Sequence, residues 1–274
     1  MRNRFADGFA ATVVLIALTA IPAGHPSAGA ALGTPAAAQT AVAQRGALPR
    51  TADGKPDLSG VWQVLTTAAW DIQDHQAGLG VPAGQGVVEG NDIPYQPWAL
   101  AKKQENFKNR RTADPVTKCF MPGVPRITYT PYPFLIVQTP TLVSILYEYV
   151  HVTRNVFMNS EHLAGSIEWI NGDSRGRWEA DTLVVDVKHF TDDTWLDGAG
   201  NFHSEALHLV ERYTLVGPDH IEYEVTVEDP KVFTRPWKMS MPLYRRKERN
   251  VRILEYECYA YVHEEEARRA VLPR

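Results

Sequence analysis

The chain has 274 residues, a formal net charge of −4 and 44% hydrophobic residues. It carries no basic stripe to track phosphates, so nucleic acid is not an expected partner, and its length can bury a core without help from disulfides or metal. The only two cysteines, Cys119 and Cys258, make neither a Cys-x-x-Cys pair nor a Cys/His spacing, which argues against a structural zinc.

Taken in chain order, residues 1–38 read as a secretory signal peptide. Arg2 and Arg4 make a basic start, and the run from Phe9 to Ile21 is apolar yet too short to span a membrane. Small residues suited to cleavage follow at Ala28-Gly29-Ala30, Ala36-Ala37-Ala38 and Ala41-Val42-Ala43. Without the leader the formal charge becomes −5. The mature protein is expected to be periplasmic or secreted, with no stable membrane insertion. In that oxidising compartment Cys119 and Cys258 are expected to pair as a disulfide. Residues 39–56, rich in Ala, Gln and Pro, read as a disordered lead-in. Residues 57–264 read as a single β-barrel-like domain that opens at Asp57-Leu58-Ser59-Gly60-Val61-Trp62.

Gly and Pro make 75–94 a long loop, and Pro97, suited to a first helical position, opens a short helix from Trp98 to about Asn109. Beyond Cys119 short apolar or alternating runs recur between turn residues. They predict strands near 134–139, 142–150, 154–158, 166–171, 174–179, 182–188, 208–215, 220–228, 236–245 and 251–261. Asn171-Gly172 is a two-residue hairpin signal, and Gly217-Pro218-Asp219 a further turn. The class is therefore mainly β: an antiparallel meander closing into a lipocalin-like barrel, because closure removes the edges of a long sheet, with a β-sandwich as the alternative. Alternation puts Leu183, Val185, Val187 and His189 on one face, against Val184, Asp186 and Lys188. It likewise puts Ile221, Tyr223, Val225 and Val227 opposite Glu222, Glu224, Thr226 and Glu228, a solvated exterior rather than a metal site.

Several stretches carry a resemblance: Pro122-Gly123-Val124-Pro125-Arg126, Gly172-Asp173-Ser174-Arg175-Gly176-Arg177-Trp178-Glu179 running into Asp181-Thr182-Leu183-Val184-Val185, His203-Ser204-Glu205-Ala206-Leu207-His208 with Glu211-Arg212-Tyr213, and Asp229-Pro230 through Thr234-Arg235-Pro236-Trp237. Over roughly residues 51–262 the chain resembles a widespread family of exported, β-rich proteins of environmental bacteria. The resemblance implies export and a β-rich fold, and no reaction. Two departures stand out: Ala180 where the family pattern has Gly, and Asn159-Ser160-Glu161-His162 where it reads Asp-Gly-Arg-Pro-His.

Gly172-Asp173-Ser174-Arg175-Gly176 matches the G-x-S-x-G of hydrolase elbows, but a strand and not a helix follows it, so a hairpin is expected there. The segment from Phe190 to His208 crowds polar residues between two strands, where barrel-mouth binding groups concentrate. The candidate acid–base groups are His203, His208, Asp197 and Asp193, an imidazole with a carboxylate to orient it. Trp195 and Tyr223 would supply an apolar wall, and Ser204 would cap a short turn. Arg126, Arg177, Arg212 and Arg235, each beside an aromatic, Pro or Gly residue, are candidates to hold a carboxylate or polar ligand. Their competing role is structural pairing with Glu179, Glu211 or Asp229. Arg235-Pro236-Trp237 should turn a rigid corner with Trp237 inward.

With no G-x-G-x-x-G and no P-loop, the expected function is that of an exported small-molecule enzyme without redox cofactor. It would be a hydrolase, lyase or isomerase acting on a partly apolar compound by His/Asp acid–base chemistry. The alternative is a periplasmic lipocalin-like binding or carrier protein; a third reading, an envelope interaction domain, would need a large exposed apolar patch. No cofactor is expected. A His-ligated divalent metal would need His203 and His208, five apart, plus His151 or His162.

Overall fold

A computed structural model describes residues 48–78, 81–165 and 167–271; the signal peptide and residues 39–47 of the lead-in lie outside the described residues. Nine strands close into one barrel in the order in which the chain makes them. They are β1 Gly60–Val64, β2 Phe134–Gln138, β3 Leu142–Tyr147, β4 Thr153–Met158, β5 Asp173–Glu179, β6 Thr182–Lys188, β7 His208–Gly217, β8 His220–Glu228 and β9 Trp237–Arg245. The last strand returns to the first, with Trp62 opposite Arg245, so the mainly β class and its closure are as expected and the sandwich is not formed.

Strand direction reverses at every antiparallel seam, so a ring of nine strands needs an odd number of parallel seams. The expected meander therefore has an exception: β4 and β5 run parallel, Val156 opposite Ser174. Residues 159–172 form the crossover that carries the chain back to the starting end. Gly176 lies on this seam. A Cβ there would come within 2.6 Å of Met158 Sδ and 2.7 Å of Val156 Cγ1, so only glycine lets the two strands approach.

Two expected strands are absent. Among the described residues, 167–171 contribute only a single bridge, Trp169 to Phe190, because β4 and β5 pair directly and leave no slot between them. Asn171-Gly172 accordingly makes a turn, with the Gly172 amide donating to the Trp169 carbonyl at 3.1 Å, rather than a hairpin. Gly172 has φ +64°, and a Cβ would collide with Val187 and Phe190. Residues 251–257 are irregular, and α2 follows at Cys258–Val271. The ring is already closed by β9 on β1, and Glu264 to Val271 are mostly helix formers. The expected helix forms as α1, Pro97–Ala113, four residues longer at its C-terminus than predicted. Pro115 stops it by holding Asp114 extended (φ −61°, ψ 122°).

Residues 48–56, assigned to the lead-in, are held to the barrel. Arg50 forks onto Asp181 at 2.9 and 2.7 Å, and Arg50 bridges Pro56. The Cys119–Cys258 disulfide is formed, with Cα atoms 5.4 Å apart. Among the described residues no helix is long and apolar enough to cross a membrane.

Inward positions follow the predicted alternation. Trp62, Phe134, Tyr213 and Tyr223 are fully buried with the Leu, Ile and Val of the facing strands, each worth about 1.5–3 kcal/mol of burial. Into this apolar interior the strands also bring an ion pair. Arg154 on β4 forks onto Glu211 on β7, with side chains 2% and 0% exposed. Tyr223 and Tyr213 donate their hydroxyls to Glu211 Oε1 at 2.5 and 3.2 Å, and Arg154 Nε donates to Ser174 Oγ at 3.0 Å. Burial, and then the Glu211 charge, push both tyrosines well above their usual value.

Candidate functional site

The 190–208 connection is a set of internal braces. Asp197 is 0% exposed and accepts from the amides of Ile72, Ala199 and Asn201 at 3.0, 2.9 and 3.1 Å and from the Asn201 side chain. Burial, and then the Asp71 carboxylate, push Asp197 up to about 6, against the pull of those donors. His203 is 2% exposed; its Nε2 lies 2.8 Å from Thr194 Oγ1 and its Nδ1 3.0 Å from the Ser204 carbonyl. Both ring nitrogens are thus satisfied by a neutral imidazole that donates from Nδ1 and accepts at Nε2. Ser204 caps its turn as expected, accepting from the Ala206 amide at 3.1 Å, and is itself tied to Asp229 through its amide at 2.6 Å and hydroxyl at 2.9 Å. Asp193 is exposed; with Asp229 and Asp192 it acts on His203 only through the field. Trp195 bridges Phe202 in this connection, while Tyr223 lies inside the barrel on Glu211. The two therefore do not form the expected wall.

The arginines divide the same way. Arg126, 5% exposed, forks onto Asp114 with both bonds at 2.8 Å. Arg177 and Arg212 share Glu179 at 2.7 and 2.9 Å on the outer surface, the structural pairing that competed with ligand binding. Arg235 reaches Asp92 at 3.2 Å. Trp237 is inward as expected, 3% exposed and edge-on to Phe233, so it is a core residue.

His208 is the candidate that the fold places in an open, polar setting, on the outer face of the barrel. Its Nε2 lies 2.8 Å from Asp186 Oδ2 and its Nδ1 3.1 Å from Glu228 Oε2. The other oxygen of Asp186 lies 2.6 Å from Nε2 of His162, whose Nδ1 is 3.0 Å from Asp173 Oδ2. Asp173 is held by the Leu163 amide at 3.1 Å and by Arg175 at 2.8 and 3.1 Å. The result is an unbroken alternation of carboxylates and imidazoles, Glu228, His208, Asp186, His162, Asp173, ending on Arg175. It crosses from β8 over β7, β6 and the 159–172 crossover to β5. His151, by contrast, sits apart, 2.6 Å from Glu257.

Burial works to raise Asp186, but hydrogen bonds from His208 and His162 outweigh it and hold its carboxyl below the usual range. Asp173 is lowered likewise, mainly by Arg175, the Leu163 amide and His162 acting against burial. Beside this array opens a cleft of about 460 Å³ between the 159–162 turn and Arg175, Arg177, Asp186 and Lys188. Arg175 of this lining packs on Phe157, which is 45% exposed, with the guanidinium 5.1 Å from the ring centroid.

The Glu-rich row with Glu228 is outward as expected, and Asp186 and Lys188, expected only to share a face, are outward with it, but the solvated-exterior reading overlooks what gathers there. Alternation puts His189 on one face with Leu183, Val185 and Val187. The structure instead ends β6 at Lys188 and gives His189 a φ of +62°. That turns its imidazole to within 5.8 Å of the His162 ring, centroid to centroid. His162, Asp173 and His189 each offer one ligand atom, and these atoms lie within 4.8 Å of one another. The available sequence signal was the departure at 159–162, which ends on His162. Ser174 faces inward to Arg154, and its strand continues to Glu179, so no nucleophile elbow forms.

The buried His203 makes a testable pH signature. Its unfolded imidazole titrates near about 6.5, and burial lowers the folded one. Below that pH the folded state binds fewer protons than the unfolded state, so this contribution to stability is lost as pH falls from about 6.5 through the folded value. Asp197 acts with the opposite sign, its contribution being lost as pH rises through about 6. Urea unfolding of wild type and His203→Gln across this range isolates His203, since Asp197 is common to both. The wild-type advantage should shrink as pH falls; a pH-independent difference would show that the ring is not held neutral.

No protein-family model matches the chain, and no curated protein matches it.

Proposed function

We propose that this protein is an exported member of the family its motifs resemble and a small-molecule enzyme without redox cofactor, working by His/Asp acid–base chemistry at the outer cleft rather than in the 190–208 connection. The observation that carries the reading is Asp186, whose two oxygens are each bonded by an imidazole, His162 at 2.6 Å and His208 at 2.8 Å, at the floor of an open cleft. His162 presents its ring to the cleft as the proton-transfer group. Asp186 orients it and balances its charge, and His208, anchored by Glu228, completes the support on the far side. Arg175, Arg177 and Lys188 line the cleft, each also paired to an acidic neighbour, and suit a substrate carboxylate that exchanges for that partner, while Phe157, which packs on Arg175, suits its apolar part. The Cys119–Cys258 disulfide accords with folding in an oxidising compartment.

A binding or carrier role is the second reading. It rests on the fact that every ring nitrogen of His162 and His208 already faces a carboxylate oxygen, so that none is free until a partner moves.

The test is a turnover screen against aryl esters, lactones and β-hydroxy carboxylic acids, covering hydrolysis and elimination, repeated with three variants. His162→Gln and Asp186→Asn should each lower kcat by about 10²- to 10⁴-fold, while His203→Gln should retain it. Turnover indifferent to the first two variants overturns the site, and no turnover across the screen overturns the enzyme in favour of the carrier.

A further inference from the structure

We infer that His162, Asp173 and His189 form a divalent-metal site of zinc type on the outer face of the barrel, resting on the reading of that face as the functional one. Two imidazoles and a carboxylate, three protein ligands in all, are the donor set of a zinc centre that keeps a fourth position open. Their ligand atoms lie within 4.8 Å of one another, and His162 Nδ1 is already 3.0 Å from Asp173 Oδ2. Ligands on one tetrahedral zinc lie about 3.3–3.5 Å apart, given bonds of about 2.0–2.2 Å. Since His162 and Asp173 are already that close, the remaining approach falls to the His189 ring.

The surroundings are those a metal site needs. A metal-ligating histidine presents its second ring nitrogen to a carboxylate that fixes its tautomer, and His162 Nε2 has Asp186 at 2.6 Å. Asp173 is steadied on Oδ1 by Arg175 Nη2 at 2.8 Å. Its Oδ2, which faces His162, also takes the Leu163 amide and Arg175 Nε at 3.1 Å each, so a metal would share that oxygen with these donors or displace them. His189 is fixed from behind by the Trp169 amide, which donates to its carbonyl at 2.8 Å. Its left-handed backbone, strained for a side-chain-bearing residue, is the kind found where a side chain must be aimed. Arg175 and Lys188 are paired to Asp173 and Asp186 respectively, so a metal on Asp173 would compete with Arg175 for that carboxylate. This ligand set is not the one expected from the sequence: His203 is enclosed in the 190–208 connection, His208 is turned to Glu228 and Asp186, and His151 is paired with Glu257.

The experiment is calorimetric titration of the metal-stripped full chain with Zn²⁺ alone, with Co²⁺ absorption as a second readout of a tetrahedral nitrogen/oxygen environment. One equivalent should bind. Asn accepts a left-handed backbone while removing the imidazole, so His189→Asn tests the ligand without unfolding the turn; it and His162→Gln should abolish the Co²⁺ spectrum. Asp186→Asn, which removes only the outer partner, should weaken binding by about 10- to 100-fold, and His151→Gln should leave it unchanged. No saturable binding to the wild type, or binding that survives both ligand variants, overturns the inference. His162 cannot serve both at once, since with Nδ1 on the metal and Nε2 on Asp186 it has no nitrogen left for proton transfer. The metal is therefore tested separately from the reaction through His189, which takes no part in the Asp186–His208 array. Turnover lost in Asp186→Asn but unchanged by metal stripping would leave the enzyme and remove the metal, and stoichiometric zinc without turnover would do the reverse.

Discussion

Glu211→Gln is expected to lower the unfolding free energy by about 3–5 kcal/mol, because it leaves Arg154 charged and uncompensated in the barrel interior. The two side chains are 2% and 0% exposed, so water cannot replace the lost carboxylate. Gln still offers an oxygen to the Tyr213 and Tyr223 hydroxyls, which otherwise lose their acceptor as well. What is measured is therefore the charge rather than the hydrogen-bond count. The double variant Arg154→Met/Glu211→Gln buries no net charge and conserves volume, and should recover most of the loss, since an isolated buried charge costs more than an apolar replacement of the pair. Urea unfolding of the single and double variants gives the comparison. A loss below about 1 kcal/mol for Glu211→Gln would mean that the interior is hydrated at this point.

Removing the disulfide is expected to have an effect of similar size. Cys119 and Cys258 are 139 residues apart in sequence, and closing a loop of that length stabilises by roughly 4–5 kcal/mol in the chain-entropy view. The double variant Cys119→Ser/Cys258→Ser should still fold, because β9 closes on β1 without the bond, and guanidinium unfolding should show a lower midpoint than the wild type. Added reductant should shift the wild type toward the variant and leave the variant unmoved. A loss under about 1 kcal/mol with a preserved cooperative transition would show instead that the bond clips the α2 segment locally and does not constrain the unfolded chain as a whole.

How much of this was legible beforehand depended on range. Tyr223 and Glu228 alternate within one strand, so their opposite faces could be read directly, as could Trp237 turning inward after Arg235-Pro236. The strand expected at 166–171 could not be excluded from its own residues. It failed because β4 and β5 pair directly in parallel, and which strands pair is a property of the whole sheet. His203 and Asp197 stood out as polar residues crowded in one connection, yet the same crowding suits a brace whose bonds are all internal, and only burial tells the two apart. Asp186 could be grouped with Lys188 on one face of its strand, but not assigned to the outside of the barrel.

The amino-acid sequence by itself thus determined which residues share a strand face, the β-rich class and the cysteine pairing, all of which depend on local periodicity or on having no other partner, while closure over a sandwich was decided by the fold. The tertiary structure decided which charges meet. Cross-strand register brings Glu228 to His208 and Asp186 between two imidazoles, the β4–β5 crossover delivers His162, and the left-handed turn at His189 delivers the third ring. Those neighbours are far apart along the chain, and contacts between distant residues are set by the packing of the whole barrel, which no local pattern encodes.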